Sequence, residues 1–165
     1  MQKTIIITGA SDGIGAAAAR KLKSLGHTVI LVGRSRSKTE AMARELSVPF
    51  HLADYATLGD VQRLADELQH YDRIDVLANN AGGIMGNREL TEDGFEKTFQ
   101  VNHLAPFLLV KLLMPELIAS RSTVIQTASE AANMWGGGFD LSDLNNERDY
   151  APQKAYGRAK LANIL

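Results

Sequence analysis

Apolar residues fall along this chain in short unbroken runs, separated by longer stretches in which they recur every three or four positions. The runs TIIIT (4–8), TVILV (28–32), PFHLA (49–53), IDVLA (74–78) and STVIQTA (122–128) are rich in β-branched residues and lack strict alternation. That is the pattern of strands buried on both faces. Between the runs, the spacing predicts helices. Residues 13–25 put Ile14, Ala17, Ala18, Leu22 and Leu25 on one stripe, with Gly26 as the stop. Residues 37–46 and 57–70 repeat the pattern, the second with Leu58, Val61, Leu64, Ala65 and Leu68. A longer helical tract, 92–119, is expected to break near Asn102 to Pro106, because proline disfavours helical geometry in the residue before it. A last helix is expected from about Gln153, after an irregular stretch, 129–152, long enough to be read as a functional loop.

Strand and helix in alternation imply right-handed βαβ units. The expected fold class is α/β: a Rossmann-type, doubly wound parallel sheet in three α/β/α layers, formed by residues 1–165 as one dinucleotide-binding domain. With 45% hydrophobic residues the chain can fill a core, and with a net charge of −1 it has no basic tract to follow a nucleic acid backbone. Cysteine is absent, and His27, His51, His70 and His103 lack the spacing of a helical zinc site, so no metal is expected. No apolar run approaches the length of a membrane span. A cytoplasmic protein is therefore expected.

Candidate chemistry begins directly after the first run, with TGASDGIG at 8–15. Gly9 can form a tight turn, Gly13 lets backbone approach a pyrophosphate, and Gly15 lets the helix pack on the strand. The helix N-terminus then offers unpaired N–H groups to the phosphates. A loop of this kind, with Ser11, Asp12 and Ile14 inside it, predicts a dinucleotide site. At the end of the second strand, where an NAD site usually presents a carboxylate, the chain reads GRSRSK (33–38). Arg34 and Arg36, with Ser35 and Lys38, suit a 2′-phosphate, so NADP(H) is expected over NAD(H). Asp54 can accept from an adenine amino group or cap the helix that follows. NNAG (79–82) ends the fourth strand, where Asn79 and Asn80 can bond neighbouring loops and Ala81 and Gly82 can pass under a nucleotide.

Tyr156 and Lys160 stand four residues apart, on one face of the last predicted helix. A phenol with its ordinary pKa of about 10 is a poor acid or base near neutrality. A nearby ammonium favours its ionised form, and a tyrosine so placed can exchange a proton with a substrate oxygen as hydride moves. Ser129 can hold that oxygen by a hydrogen bond. Asn102 can fix a water that links Lys160 to solvent.

Together TGASDGIG, NNAG, the VNH around Asn102, TAS ending at Ser129 and YGRAK (156–160) resemble the short-chain dehydrogenase/reductase family over essentially the whole chain. The resemblance implies an NAD(P)-dependent oxidoreductase. Tyr156 would be proton donor or acceptor, Lys160 would bind the nicotinamide ribose and lower the tyrosine pKa, Ser129 would orient the substrate oxygen, and Asn102 would maintain the proton relay. It also implies a homo-oligomer, formed through helices equivalent to 103–119 and 153–165. Within the family, residues 139–165 resemble the retinol dehydrogenase-like branch, whose members act on carbonyls or alcohols of small apolar molecules. Family members continue beyond the YxxxK motif with two more strands and a segment that covers the substrate. The chain is therefore expected to be C-terminally incomplete, with its fifth strand at a bare sheet edge. Two alternatives carry different chemistry: a non-catalytic dinucleotide-binding module, and a nucleotide-sugar epimerase or dehydratase, which the GASDGIG spacing disfavours.

Overall fold

The computed structural model describes residues 1–138 and 140–165. Phe139, the first residue of the stretch read as an insertion, lies outside them. Five parallel strands, β1 (Thr4–Thr8), β2 (Thr28–Gly33), β3 (Phe50–Leu52), β4 (Val76–Asn79) and β5 (Thr123–Gln126), form one sheet in the order β3-β2-β1-β4-β5. The register runs Ile6↔Ile30 between β1 and β2 and Ile6↔Leu77 between β1 and β4. The order reverses between β1 and β4, which opens a crevice beyond their carboxyl ends.

Alternation along β1 serves both faces of the sheet. Ile6 packs with Ile30, Leu64, Leu77 and Leu109 under α3 (Leu58–Leu68) and α5 (Ala105–Leu112). Ile5 and Ile7 pack with Val29, Leu31 and Met42 under α1 (Gly13–Ser24) and α2 (Arg36–Leu46). Each of these side chains, fully buried, contributes about 1.5–3 kcal/mol.

Three sequence expectations need correction. In α1 the buried residues are Gly15, Ala16 and Ala19, whereas Ile14 is 81% exposed and Leu25 58% exposed. Small side chains bring the helix close to the sheet, and this turns the large ones outward. The helical tract begins at Lys97 rather than near 92, because the Glu96 carboxylate accepts from the N–H groups of Thr98 (2.8 Å) and Phe99 (2.9 Å) and starts the helix there. It also does not break at Pro106. The short α4 (Lys97–Phe99) runs into a π-helical turn, Gln100–Leu104, and then into α5. The wider turn accommodates the proline ring. The interruption comes instead at Leu113, just ahead of Pro115 in α6 (Met114–Ala119).

Two more helices, α7 (Ala131–Trp135) and α8 (Pro152–Ala162), follow β5. The stretch read as an irregular loop thus contains α7. β5 is an edge strand and, unlike the other apolar runs, is largely exposed, with Val124 at 36% and Ile125 at 49%.

Candidate active site

The loop after β1 and the loop after β4 meet at the crevice because the sheet order reverses there. Thr8, fully buried at the end of β1, accepts from the N–H groups of Asn80 and Ala81 at 3.0 Å each. Asn80 returns its side-chain amide to the carbonyls of Thr8 (3.0 Å) and Gly9 (3.4 Å). The two loops fit only because glycine stands at the contact. Gly9 has φ +66°, and a Cβ there would lie 2.8 Å from Ala81 Cα; one on Gly15 would lie 2.7 Å from Asn80 Nδ2. Gly13 is different in kind, with φ +52° and no atom within 4 Å of the place its Cβ would take. Its bareness faces open space.

That space is a cleft of about 700 Å³. Its walls include Gly9, Ser11, Asp12, Gly13, Ile14 and Gly15 from the glycine loop, Arg34 and Lys38 beyond β2, Asp54, then Asn80, Ala81 and Gly82, and finally Tyr156 and Lys160 on α8. The α1 N-terminus opens onto it, with Asp12 as the cap accepting from Gly13 N–H at 2.8 Å. Lys38 Nζ donates to Asp12 at 2.7 Å, and this hydrogen bond is the main reason the Asp12 carboxyl is held below its ordinary value. Arg34 is exposed, while Arg36 turns to Glu40 at 3.0 Å and is not part of the cleft wall. Asp54 spends one oxygen on the N–H of Ala56 (2.9 Å) in a turn ahead of α3, whose cap position is Thr57. Asp54 is therefore not the helix cap.

At the far end of the cleft, Lys160 is 3% exposed and Asn102 1% exposed. Lys160 Nζ donates to the Thr127 carbonyl (2.8 Å) and lies 5.5 Å from the centroid of the Tyr156 ring. Burial pushes the Lys160 ammonium down to about 8. Asn102 stands behind the cleft wall. Its Oδ1 accepts from Gly83 N–H (2.9 Å), and its Nδ2 donates to the carbonyls of Gly83 (2.9 Å) and Thr98 (2.8 Å). The side chain expected to hold a water thus holds the loop after β4.

A family model described as short chain dehydrogenase matches residues 3–140. The chain belongs to the short-chain dehydrogenase family. It is 43% identical over 171 residues to a Streptomyces sp. (strain C5) protein named as a candidate daunorubicin C-13 ketoreductase, covering 99% of this chain and 58% of that one. It is 38% identical over 172 residues to human retinol dehydrogenase 13, with 99% and 52% covered. Among solved structures, an alcohol dehydrogenase from the archaeon Thermococcus sibiricus, complexed with 5-hydroxy-NADP, superposes with a TM-score of 0.76 at 27% identity, covering 99% of this chain and 67% of that one. The chain spans about half the length of the curated relatives it matches. The first two relatives align across nearly all of it, including the part beyond residue 140 that holds Tyr156 and Lys160.

Of the family tetrad read from the sequence, Tyr156 and Lys160 line the cleft and Asn102 buttresses it. Ser129 does not line it: its Oγ accepts from Ala131 N–H at 3.2 Å, at the start of α7. What brings its segment towards Tyr156 is Gly157, where α8 lies so close to α7 that a Cβ would stand 2.6 Å from the Ala131 carbonyl oxygen. The 140–150 stretch is tied to the 83–96 segment. Arg88 donates to the Asn145 carbonyl (3.0 Å), Asn145 Oδ1 accepts from Glu96 N–H (2.9 Å), and Tyr150 Oη donates to the Gly86 carbonyl (2.8 Å).

Four residues important to the site were not singled out from the sequence: Thr8, Thr127, Gly157 and Asn163. Thr8 had a signal, a hydroxyl ending a run of isoleucines. Asn163 stands three residues after Lys160, on the same helical face. Thr127 acts through its carbonyl, which no side-chain pattern reveals. Among the described residues no helix is long and apolar enough to cross a membrane.

Proposed function

We propose that the cleft binds NADP(H) and that Tyr156 moves the proton in the interconversion of an alcohol and a carbonyl on a small apolar substrate. The observation that carries this reading is the burial of Lys160 beside the Tyr156 ring, at one end of a cleft whose other end holds Arg34 and Lys38. The fit to a dinucleotide rests on the empty space over Gly13 and on the α1 N-terminus that opens beside it.

The cofactor, when bound, supplies or accepts the hydride. The glycine-loop N–H groups hold the pyrophosphate. Arg34 and Lys38 hold the 2′-phosphate, and the free oxygen of Asp54 takes the adenine amino group. Lys160 donates to the ribose hydroxyls. Tyr156 Oη gives its proton to the carbonyl oxygen in reduction and takes it back in oxidation. Ser129, which accepts from Ala131, keeps its own hydroxyl hydrogen to donate to the same substrate oxygen. Preference for the phosphorylated cofactor is supported by Gly33, which offers no carboxylate to a 2′-hydroxyl, and by the NADP derivative bound to the Thermococcus relative. Phe107 and Ile118, exposed at 53% and 68% on α5 and α6, support self-association through those helices.

The test is a pair of calorimetric titrations, followed by turnover of Tyr156→Phe. NADPH is expected to bind at least about tenfold more tightly than NADH, a difference of about 1.4 kcal/mol. Equal affinities would remove the phosphate assignment. Turnover surviving in Tyr156→Phe would leave a dinucleotide-binding module or a different acid.

A further inference from the structure

The π-helical turn leaves one carbonyl unsatisfied within its own helix. Pro106 has no N–H to give to the Asn102 oxygen four residues earlier. That oxygen accepts from Asn163 Nδ2 at 3.0 Å instead. The same Nδ2 reaches the Thr127 carbonyl at 3.4 Å, and Thr127 is the acceptor of the Lys160 ammonium. On its other side, Asn163 Oδ1 stands 2.9 Å from His103 Nδ1. Because Asn163 Nδ2 faces two carbonyls, its Oδ1 must accept, so His103 carries its hydrogen on Nδ1. The His103 ring is held between Phe99 (centroids 5.2 Å apart) and Phe107 (6.0 Å).

We propose that Asn163 is a positioning residue for Lys160. It clamps the carbonyls of Asn102 and Thr127 with its two amide hydrogens and is kept in that orientation by His103. The inference rests on the role given to Lys160 above, and it adds two residues to the machinery. Asn163 is the C-terminal cap of α8, one turn beyond Lys160. It therefore ties the lysine's helix to the π turn and to the end of β5 in a single contact. An amide does this and a carboxylate cannot, because its oxygens would face two carbonyl oxygens. Lys160 otherwise faces Tyr156 on its own helix, the Asn102 side chain across Gly82, and Thr127 at the end of β5. Burial is the only cause of its lowered proton affinity. By occupying both carbonyls, the Asn163 amide limits how much acceptor the ammonium can reach.

The experiment is a ¹³C NMR titration of the lysine ε-carbons, with the Lys160 signal assigned by its loss in Lys160→Arg. Asn163→Leu frees both carbonyls for the ammonium, so the Lys160 midpoint is expected to rise by about half a pH unit or more. His103→Phe keeps the ring stack and removes the donor that orients the amide; it is expected to move the midpoint the same way and by less. A merely structural role would lower stability and leave the midpoint in place. An unchanged Lys160 midpoint in the folded variants overturns the proposal, and if Asn163→Leu does not fold, His103→Phe decides alone. The titration needs neither cofactor nor turnover, so failure of the wild type to bind NADPH would sink the proposed function and leave this result readable.

Discussion

Gly82 and Asn102 compete for one space. A Cβ on Gly82 would overlap Asn102 Oδ1, stand 3.3 Å from its Cγ and come within 3.4 Å of Lys160 Nζ. Ala81 and Gly82 were expected to be small so as to pass under a nucleotide. At Gly82 the immediate demand for smallness comes from the protein itself. Gly82→Ala is expected to push the Asn102 amide off Gly83, at a cost of about 1–3 kcal/mol. Denaturant midpoints check the stability and calorimetry with NADPH checks the cleft; an unchanged midpoint would show that the Asn102 amide moves aside freely.

Gly157→Ala sets two effects against each other. Alanine is a better helix former than glycine by about 1 kcal/mol. The added methyl, however, would stand 2.6 Å from the Ala131 oxygen and 2.8 Å from Gly136 N, both backbone atoms that cannot rotate away. The clash should win, with a net loss of about 1–2 kcal/mol, read from urea midpoints. A gain in stability would mean that α7 and α8 can separate without cost.

Lys160 is held at the expense of stability. Its folded value is pushed down to about 8 from an ordinary 10.5. The unfolded chain therefore binds this proton more readily than the folded one between those two values. The lysine's contribution to stability is least favourable below pH 8 and improves as pH rises from 8 to 10.5. Lys160→Met is expected to be more stable than wild type by about 1–3 kcal/mol near pH 7, with the difference shrinking above pH 8. Paired melts across that range measure the difference, and a destabilised variant at pH 7 would show that the Thr127 contact outweighs burial.

Lys38 sits where a 2′-phosphate is proposed, already paired with Asp12 at 2.7 Å. Lys38→Ala and Arg34→Ala are each expected to weaken NADPH binding about tenfold, roughly 1.4 kcal/mol, and to leave NADH within about twofold. The NADPH penalty should fade at high salt, because both charges are exposed to solvent. Equal losses for both cofactors would place these residues elsewhere along the nucleotide.

The strands and the glycine loop were legible because their signals are local. Three consecutive isoleucines flanked by threonines, followed by TGASDGIG, can be read within a dozen residues. The stripe on α1 was misread because periodicity gives large apolar residues priority. Here close packing selected Gly15, Ala16 and Ala19, and Ile14 was left at the cleft. Asn102 was found as a residue but not in its role, since its partners at Gly83 lie 19 positions away. Contacts made through backbone, such as the Thr127 carbonyl to Lys160 across 33 positions, leave no mark on side-chain patterns at all.

The π-helical turn at Gln100–Leu104 has a geometric consequence of its own. One residue more than a plain helix needs rotates everything after it by about 100° relative to everything before. The first part therefore directs Thr98 and Asn102 towards α8 and the loop after β4, while the second directs Ala105 and Leu109 into the core with α3. One continuous rod thus has two independent phases. Substitutions that retune the chemical end need not disturb the packed end, whereas deleting a single residue inside the turn would bring the two back into step and misaim one of them.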